Sequence, residues 1–360
     1  MSLVSVLVPA CNAAATIGET LASAAAQSHG ALEIIVVDDG STDATAEIVR
    51  QFARKDPRVS LLRQENAGVA AARNSALARA RGAYVAPLDA DDLWHPDKIA
   101  RQLRRLEQAG PSAGLAYCWS VDIDARSTII DRRLDLEKFE GDVYAALVLT
   151  NFVGNASVPL IRRPDLEAVG GWNPAMRLRG AQGCEDWQTY LRLAERTDYA
   201  LEPAFLVGYR QAARAMSRQV ASMQRSYRLV LAEARDRHPD LPAKLFRWSA
   251  AAFDFYAFEL LKGLASRPRR LPYLARGVMR DPAWLTRPST RRKVRHWLEQ
   301  MLAGGFAGSA ARQHVPPFPI GRSFAELSPD APREVSEGRT ISARRALVAN
   351  LPVKPRIAAR

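Results

Sequence analysis

The sequence predicts an α/β fold with a largely parallel central sheet covered on both faces by helices. Three observations carry this. Apolar strand-like runs alternate with helix-period segments from residue 3 to residue 88, capping and turn residues stand between them, and polar or acidic clusters follow directly behind three of the apolar runs.

Taken in order, Leu3-Val4-Ser5-Val6-Leu7-Val8-Pro9 reads as a strand over 3 to 9, followed by a helix near 16 to 27. Glu33-Ile34-Ile35-Val36-Val37 gives a buried strand over 33 to 38. Ser41, Thr42 and Asp43 then supply capping side chains for a helix over 43 to 54. A strand over 58 to 62 and a helix over 68 to 81 come next, with Gly82 placed where a left-handed residue would end that helix, and a strand over 84 to 88 closes the series. In a sheet of this kind ligands bind beyond the carboxyl ends of the strands. Pro9 to Asn12, Asp38 to Ser41 and Asp89 to Asp92 all fall there, so three strand ends should face one crevice.

The chemistry expected in that crevice follows from charge. Leu88-Asp89-Ala90-Asp91-Asp92 packs three carboxylates behind a short apolar run, and Asp38-Asp39 adds two more. Clustered acids at a strand end are costly unless solvent or a hard cation offsets them, which points to a divalent metal, Mg or Mn. The usual phosphate loops are absent: after the first strand stands Pro9-Ala10-Cys11-Asn12, neither Gly-x-Gly-x-x-Gly nor Gly-x-x-x-x-Gly-Lys-Ser/Thr. Phosphate charge would then be met by a metal on Asp91 together with basic side chains.

Composition narrows the class. The 360 residues are 48% hydrophobic and 25% charged, which excludes a disordered or fibrous chain, and the formal net charge of +13 asks for an anionic partner. Cys11, Cys118 and Cys184 form no disulfide framework, and His29, His95, His238, His296 and His314 have no zinc spacing. No run reaches the roughly 18 apolar residues of a membrane span, and the first strand lacks the basic region of a secretory signal. The expected location is cytoplasmic, at most peripheral at the inner face of a membrane.

From about Val4 to Ser217 the chain resembles the family 2 glycosyltransferases with the GT-A fold. The resemblance rests on Val6 to Asn12, Ile35 to Asp43, Asn66-Ala67-Gly68-Val69-Ala70-Ala71-Ala72-Arg73-Asn74, Asp89-Ala90-Asp91-Asp92, Gly170-Gly171-Trp172 and Gly183-Cys184-Glu185-Asp186-Trp187. It implies that Pro9, Ala10 and Asn12 line a nucleotide pocket, that Asp39 takes a hydrogen bond from the base, and that Arg73 lies near the nucleotide. Asp89 and Asp91 would be the Asp-x-Asp pair, with Asp91 the metal ligand. The donor would be a nucleoside-diphosphate sugar, a UDP-sugar first among them. The acceptor would be a saccharide or a lipid-linked saccharide, in cell-surface polysaccharide or glycoconjugate synthesis. The chain departs from the pattern at Cys11, where the family often has an aromatic residue, and at Ala212, which stands at a histidine position. Arg210 or Arg214 could substitute there by pairing with the diphosphate.

Inverting transfer needs a carboxylate to deprotonate the acceptor hydroxyl. Asp186 is the first candidate and its neighbour Glu185 the second; on a helix they point different ways, so only one faces the sugar. Their alternative role is helix N-terminal charge. Trp172 and Trp187 read equally as core or as an acceptor-side wall, and Arg73 reads also as a surface helix residue.

Beyond Ser217 the domain reading is a catalytic unit over 1 to 219, a helical extension over 220 to 303, and a weakly ordered basic tail over 304 to 360. Within the extension, helices are expected near 220 to 236 and 242 to 264. The second has a stripe of Phe246, Ala250, Phe253, Ala257, Leu260 and Leu264, while Trp248, Phe255 and Phe258 lie off it and leave apolar surface for a dimer or a membrane. Arg287, Arg291, Arg292, Lys293 and Arg295, flanked by Trp284, Trp297 and Leu298, read as a solvated helix face or a contact with anionic lipid. The rival functions are a catalytically silent nucleotide-sugar binder, motivated by Ala212, and a nucleotidyltransferase, which would release pyrophosphate. A nucleic-acid binder rests on charge alone and ranks last, so no nucleic-acid partner is expected.

Overall fold

The computed structural model describes residues 1–132, 138–211, 219–261, 267–286 and 321–330. In chain order the elements are β1 (Val4–Ala10), α1 (Ile17–Ala25), β2 (Leu32–Asp39), α2 (Thr45–Lys55), β3 (Val59–Gln64), α3 (Val69–Leu77), β4 (Tyr84–Pro87), β5 (Leu93–Trp94), α4 (Lys98–Ala109), β6 (Ala113–Ile123) and β7 (Ile129–Arg132). There follow α5 (Tyr144–Leu149), β8 (Leu160–Arg162), α6 (Arg163–Ala168), α7 (Ala175–Leu178), α8 (Glu185–Ala194), β9 (Asp198–Arg210), α9 (Val220–Arg237), α10 (Ala243–Leu260) and α11 (Arg267–Arg280).

One sheet runs β3-β2-β1-β4-β8-β6-β9-β5, with β7 paired to β6. The first four strands are mutually parallel, as the alternation of apolar and helix-period segments predicts. Past β4 the sheet becomes mixed, because the three-residue β8 enters antiparallel to both β4 and β6, while β9 returns parallel to β6. Every residue of β1 and β2 is buried, since helices cover both faces of the central strands. The pairs Ala10 with Asp38 and Leu7 with Pro87 put the carboxyl ends of β1, β2 and β4 on one rim. The crevice lies there.

Two local expectations are corrected. The third helix ends at Leu77, not near 81. Gly82 does not terminate it: a Cβ at Gly82 would lie 2.7 Å from the Ser5 nitrogen and 2.8 Å from the Leu3 oxygen, so the glycine is there for close approach to β1.

The extension shares the core of the sheet. Met223, Tyr227 and Val230 of α9, with Phe246, Phe253 and Ala257 of α10, join the same cluster as β1, β2 and α8. The off-stripe Phe255 and Phe258 are covered as well, packed with Leu274 of α11, while Trp248, the third residue off the stripe, stays half-buried and Tyr256 on the same helix stays exposed. Leu264, the basic run 287 to 298 and most of the tail lie outside the described residues. For residues 321–330 the expectation of a weakly ordered tail fails: Phe324 and Leu327 are buried, and Ser323 and Asp330 form bridges to Thr128 and Ala204. Among the described residues no helix is long and apolar enough to cross a membrane.

Candidate active site

The first wall of the crevice is a lacework between the ends of β1, β2 and β3. Asn12 sits in the left-handed region at φ 50°, a conformation that asparagine tolerates better than most residues. Its backbone N–H donates to Ser41 Oγ at 2.9 Å and its Oδ1 accepts from the Thr42 N–H at 2.9 Å. Asp39, 3% exposed, accepts from Gln64 Nε2, Ala67 N–H and Gly68 N–H, each at 2.8 Å. A carboxylate offers about four lone-pair positions, so roughly one remains open. Pro9 and Ala10 are buried at the end of β1. Cys11 is exposed beside them, and burial followed by the charge of Asp39 pushes its thiol above the usual range.

The acidic cluster behind β4 divides by role. Asp92 turns inward, 0% exposed, and accepts from Ser157 Oγ at 2.6 Å and from the Arg210 N–H at 2.9 Å. Asp89 and Asp91 stay half-buried at the crevice. The backbone between them is pinned from below: Thr16 and Thr20 hydroxyls donate to the Ala90 carbonyl, and the Asp89 N–H donates to Ser157 Oγ. No side chain among the described residues hydrogen-bonds Asp91, and burial, then the charge of Asp89, pushes its carboxyl up to about 6. Arg210 offsets that charge only in part, and oxygen ligands with a spare negative charge are what a hard divalent cation takes. The described residues hold no cluster of three or more ligating side chains. The fit is therefore to a cation held by one or two carboxylates and completed by substrate phosphates and water, the habit of Mg²⁺.

Opposite stands α8. Glu185, 4% exposed, turns back and accepts from the Gly183 N–H at 2.6 Å, which ties down the turn that leads into the helix. Asp186 points the other way. Arg73, 2% exposed on α3, joins the two walls: Nη1 donates to Asp186 Oδ1 and Nη2 to Asp89 Oδ1, both at 2.6 Å. Arg73 is thus no surface residue, and its two carboxylates hold it protonated against burial. For Asp186 burial outweighs Arg73 and raises the carboxyl to about 6.

Trp172 and Trp187 require correction as acceptor-side walls. Trp172 is 1% exposed, donates from Nε1 to Asp186 Oδ1 at 3.0 Å and lies under the Arg73 guanidinium. Trp187 is 4% exposed, donates to the Leu147 carbonyl and stacks on Tyr227. Neither presents a free ring face; Trp172 orients Asp186 and Trp187 is core. Arg210 is likewise committed. Its Nε donates to the Asp91 carbonyl at 2.7 Å, Nη1 to the Asp124 carbonyl at 2.8 Å, and Nη2 to Glu19 Oε2 at 2.8 Å and Ser127 Oγ at 3.1 Å. Ala212 and Arg214 lie outside the described residues.

Sequence reasoning passed over Ser157, which ties Asp89 to Asp92, and Asn74, whose side chain bonds both the N–H and the carbonyl of Trp172. Asn74 carried a signal, closing the Asn66 to Asn74 motif. Gly171, at φ 65°, is where a Cβ would fall 2.5 Å from Asn74 Oδ1, so the Gly-Gly-Trp turn needs glycine for this pairing. Ser157 is an isolated serine far from any motif and carried none.

Comparison with known proteins adds three likenesses and a family model. The model described as glycosyl transferase family 2 matches residues 5–158. A putative teichuronic acid biosynthesis glycosyltransferase, TuaG of Bacillus subtilis, is 49% identical over 102 residues, 28% of this chain and 40% of that protein. An uncharacterized glycosyltransferase of Haemophilus influenzae is 32% identical over 172 residues, 46% of this chain and 68% of that protein. The crystal structure of S. aureus TarS 1-349 in complex with UDP-GlcNAc superposes with a TM-score of 0.52 at 16% identity, covering 77% of this chain and 89% of that one; this is a likeness of fold.

Proposed function

This chain belongs to glycosyl transferase family 2, and from that premise we propose that it moves a sugar from a nucleoside-diphosphate sugar to an acceptor hydroxyl, with inversion and with a divalent metal. The observation that carries the reading is Arg73 spanning Asp89 and Asp186, because it fixes an acid able to take a proton at a set offset from the acids able to hold a cation against a diphosphate.

Asp186 is the general base. Its raised carboxyl is matched to accept a proton from an alcohol near neutral pH, and Trp172 with Arg73 holds its orientation. Glu185 is occupied at the helix start. Asp91, with Asp89, would hold Mg²⁺ or Mn²⁺, which when bound supplies positive charge against the departing diphosphate. The open acceptor position of Asp39 suits a base N–H, and Asn12 shapes the loop beside it. Arg210 positions the site by fixing the Asp91 carbonyl from below.

A UDP-sugar is the first donor to test, and a saccharide or lipid-linked saccharide the first acceptor. The part played by TuaG in teichuronic acid biosynthesis supports a place in cell-surface polysaccharide synthesis. The test is incubation with nucleoside-diphosphate sugars, Mn²⁺ or Mg²⁺ and such acceptors, reading both the released nucleotide and the anomeric configuration of the product. Nucleoside diphosphate with an inverted product is expected. Released pyrophosphate would instead make the protein a nucleotidyltransferase, and donor binding without turnover on any acceptor would make it a silent binder.

A further inference from the structure

An open groove of about 350 Å³ lies between α9, α10 and α11, on the opposite side of Tyr227 from Trp187. Its floor is aromatic: Tyr227, Phe246 and Phe253, all buried, with Tyr227 and Phe253 stacked at 4.3 Å between ring centroids. Its rim is cationic. Arg228 and Arg235 stand exposed on α9, and Arg276 and Arg280 rise from α11. The one acid in the lining, Asp254, is 1% exposed and already paired with Arg276 and Arg280.

Charge and apolarity therefore meet here in a form that core packing does not require. α11 carries five arginines and no acid. Two of the large apolar side chains left exposed among the described residues, Tyr256 and Met279, adjoin the groove, with Met279 72% exposed beside Arg280 and Tyr256 in contact with Phe253. Arginines ringing an apolar floor, with exposed apolar residues alongside, is the arrangement that seats an anionic headgroup and enters the upper part of a lipid layer.

We propose that this groove binds the phosphate headgroup of an anionic membrane phospholipid and docks the helical extension on an anionic bilayer. The segment 287 to 303, with five basic residues and one acid, does not complement the groove, whereas a lipid phosphate does. The proposal is independent of the catalytic reading, because binding is measured without turnover.

The experiment is flotation of the full chain with vesicles of phosphatidylcholine alone and of phosphatidylcholine with phosphatidylglycerol. Binding only to the anionic vesicles, weakening with salt, is expected. R228E/R235E should reduce partitioning about 30-fold or more. A charge-matched R50E/R54E pair on α2 should reduce it far less, and M279D, at a side chain too exposed to matter for folding, should weaken it alone. Equal losses from the two double variants would mean that net charge, not the groove, binds the membrane, and would overturn the proposal. So would unchanged flotation of R228E/R235E, or a change in its oligomeric state by light scattering with vesicle binding intact, which would make the groove a contact between copies.

Discussion

Arg73 is buried with two carboxylates on it, so its removal does more than delete a charge: it leaves Asp89 and Asp186 facing each other in a poorly hydrated crevice. Arg73→Ala should cost about 3–5 kcal/mol in unfolding free energy, read by urea titration. Arg73→Lys should rescue little of it, because one ammonium cannot span both acids in the geometry of a guanidinium. Asp186 gives the catalytic counterpart. Asp186→Asn should lower turnover by about 10² to 10⁴ while calorimetric affinity for the nucleoside diphosphate with Mn²⁺ stays at the wild-type value. The pH dependence has a definite sign. The base works only when deprotonated and its carboxyl sits at about 6, so turnover should rise as pH increases through about 6 and level off above it. If Glu185→Gln silences transfer and Asp186→Asn does not, the two acids have been assigned the wrong way round.

At the scale of elements, α4 begins on a lysine that the interior gives nothing to bond. Lys98 is 0% exposed, its Nζ lies 4.2 Å from the centroid of the Trp94 ring, and it has no hydrogen-bond partner among the described residues. Burial lowers its ammonium from 10.5 to about 7. The unfolded chain keeps this proton up to about 10.5 and the folded chain only up to about 7, so the unfolded state binds more protons in between and stability gains with pH across that window. The penalty is fully present below about 7. Lys98→Met should therefore stabilise the protein near neutral pH by about 1–2 kcal/mol, raising Tm by about 1–3 °C. The same variant should flatten the rise in Tm between pH 7 and higher values. A lower Tm for Lys98→Met at pH 7 would show the ammonium to be stabilised by contacts with the ring and β6 that outweigh its desolvation.

Across the whole molecule, legibility follows the range of the interactions. The β1 to β4 half could be read because β1 and β2 are buried on both faces and α2 shows one apolar face, so local pattern and global fold agree there, even with β3 at the sheet edge and its Ser60 and Arg63 exposed. The mixed half could not, because β8 is three residues long and joins strands far apart in the sequence, leaving no periodic signal. The acids of the site announced themselves as clusters, but which way each points was decided by distant partners: Ser157 draws Asp92 inward, and Gly183 occupies Glu185. The return of the chain at residues 321–330 is the furthest case. Phe324, 4% exposed, packs against Gly208 of β9, and its N–H donates to the Ser127 carbonyl; Ser127 Oγ in turn accepts from Arg210, which holds the Asp91 carbonyl. This late segment thus bears, through three residues, on the acid expected to carry the metal. Phe324→Ala opens a cavity under β9 and should cost about 3–5 kcal/mol in thermal or urea unfolding. Because the loss falls on the support of Arg210, it should also shrink the extra stabilisation that Mn²⁺ with nucleoside diphosphate confers, whereas a comparably destabilising change away from the rim, Ile34→Ala in β2, should leave that increment intact. Identical ligand increments in the two variants would confine Phe324 to packing and break the chain of contacts from the tail to Asp91.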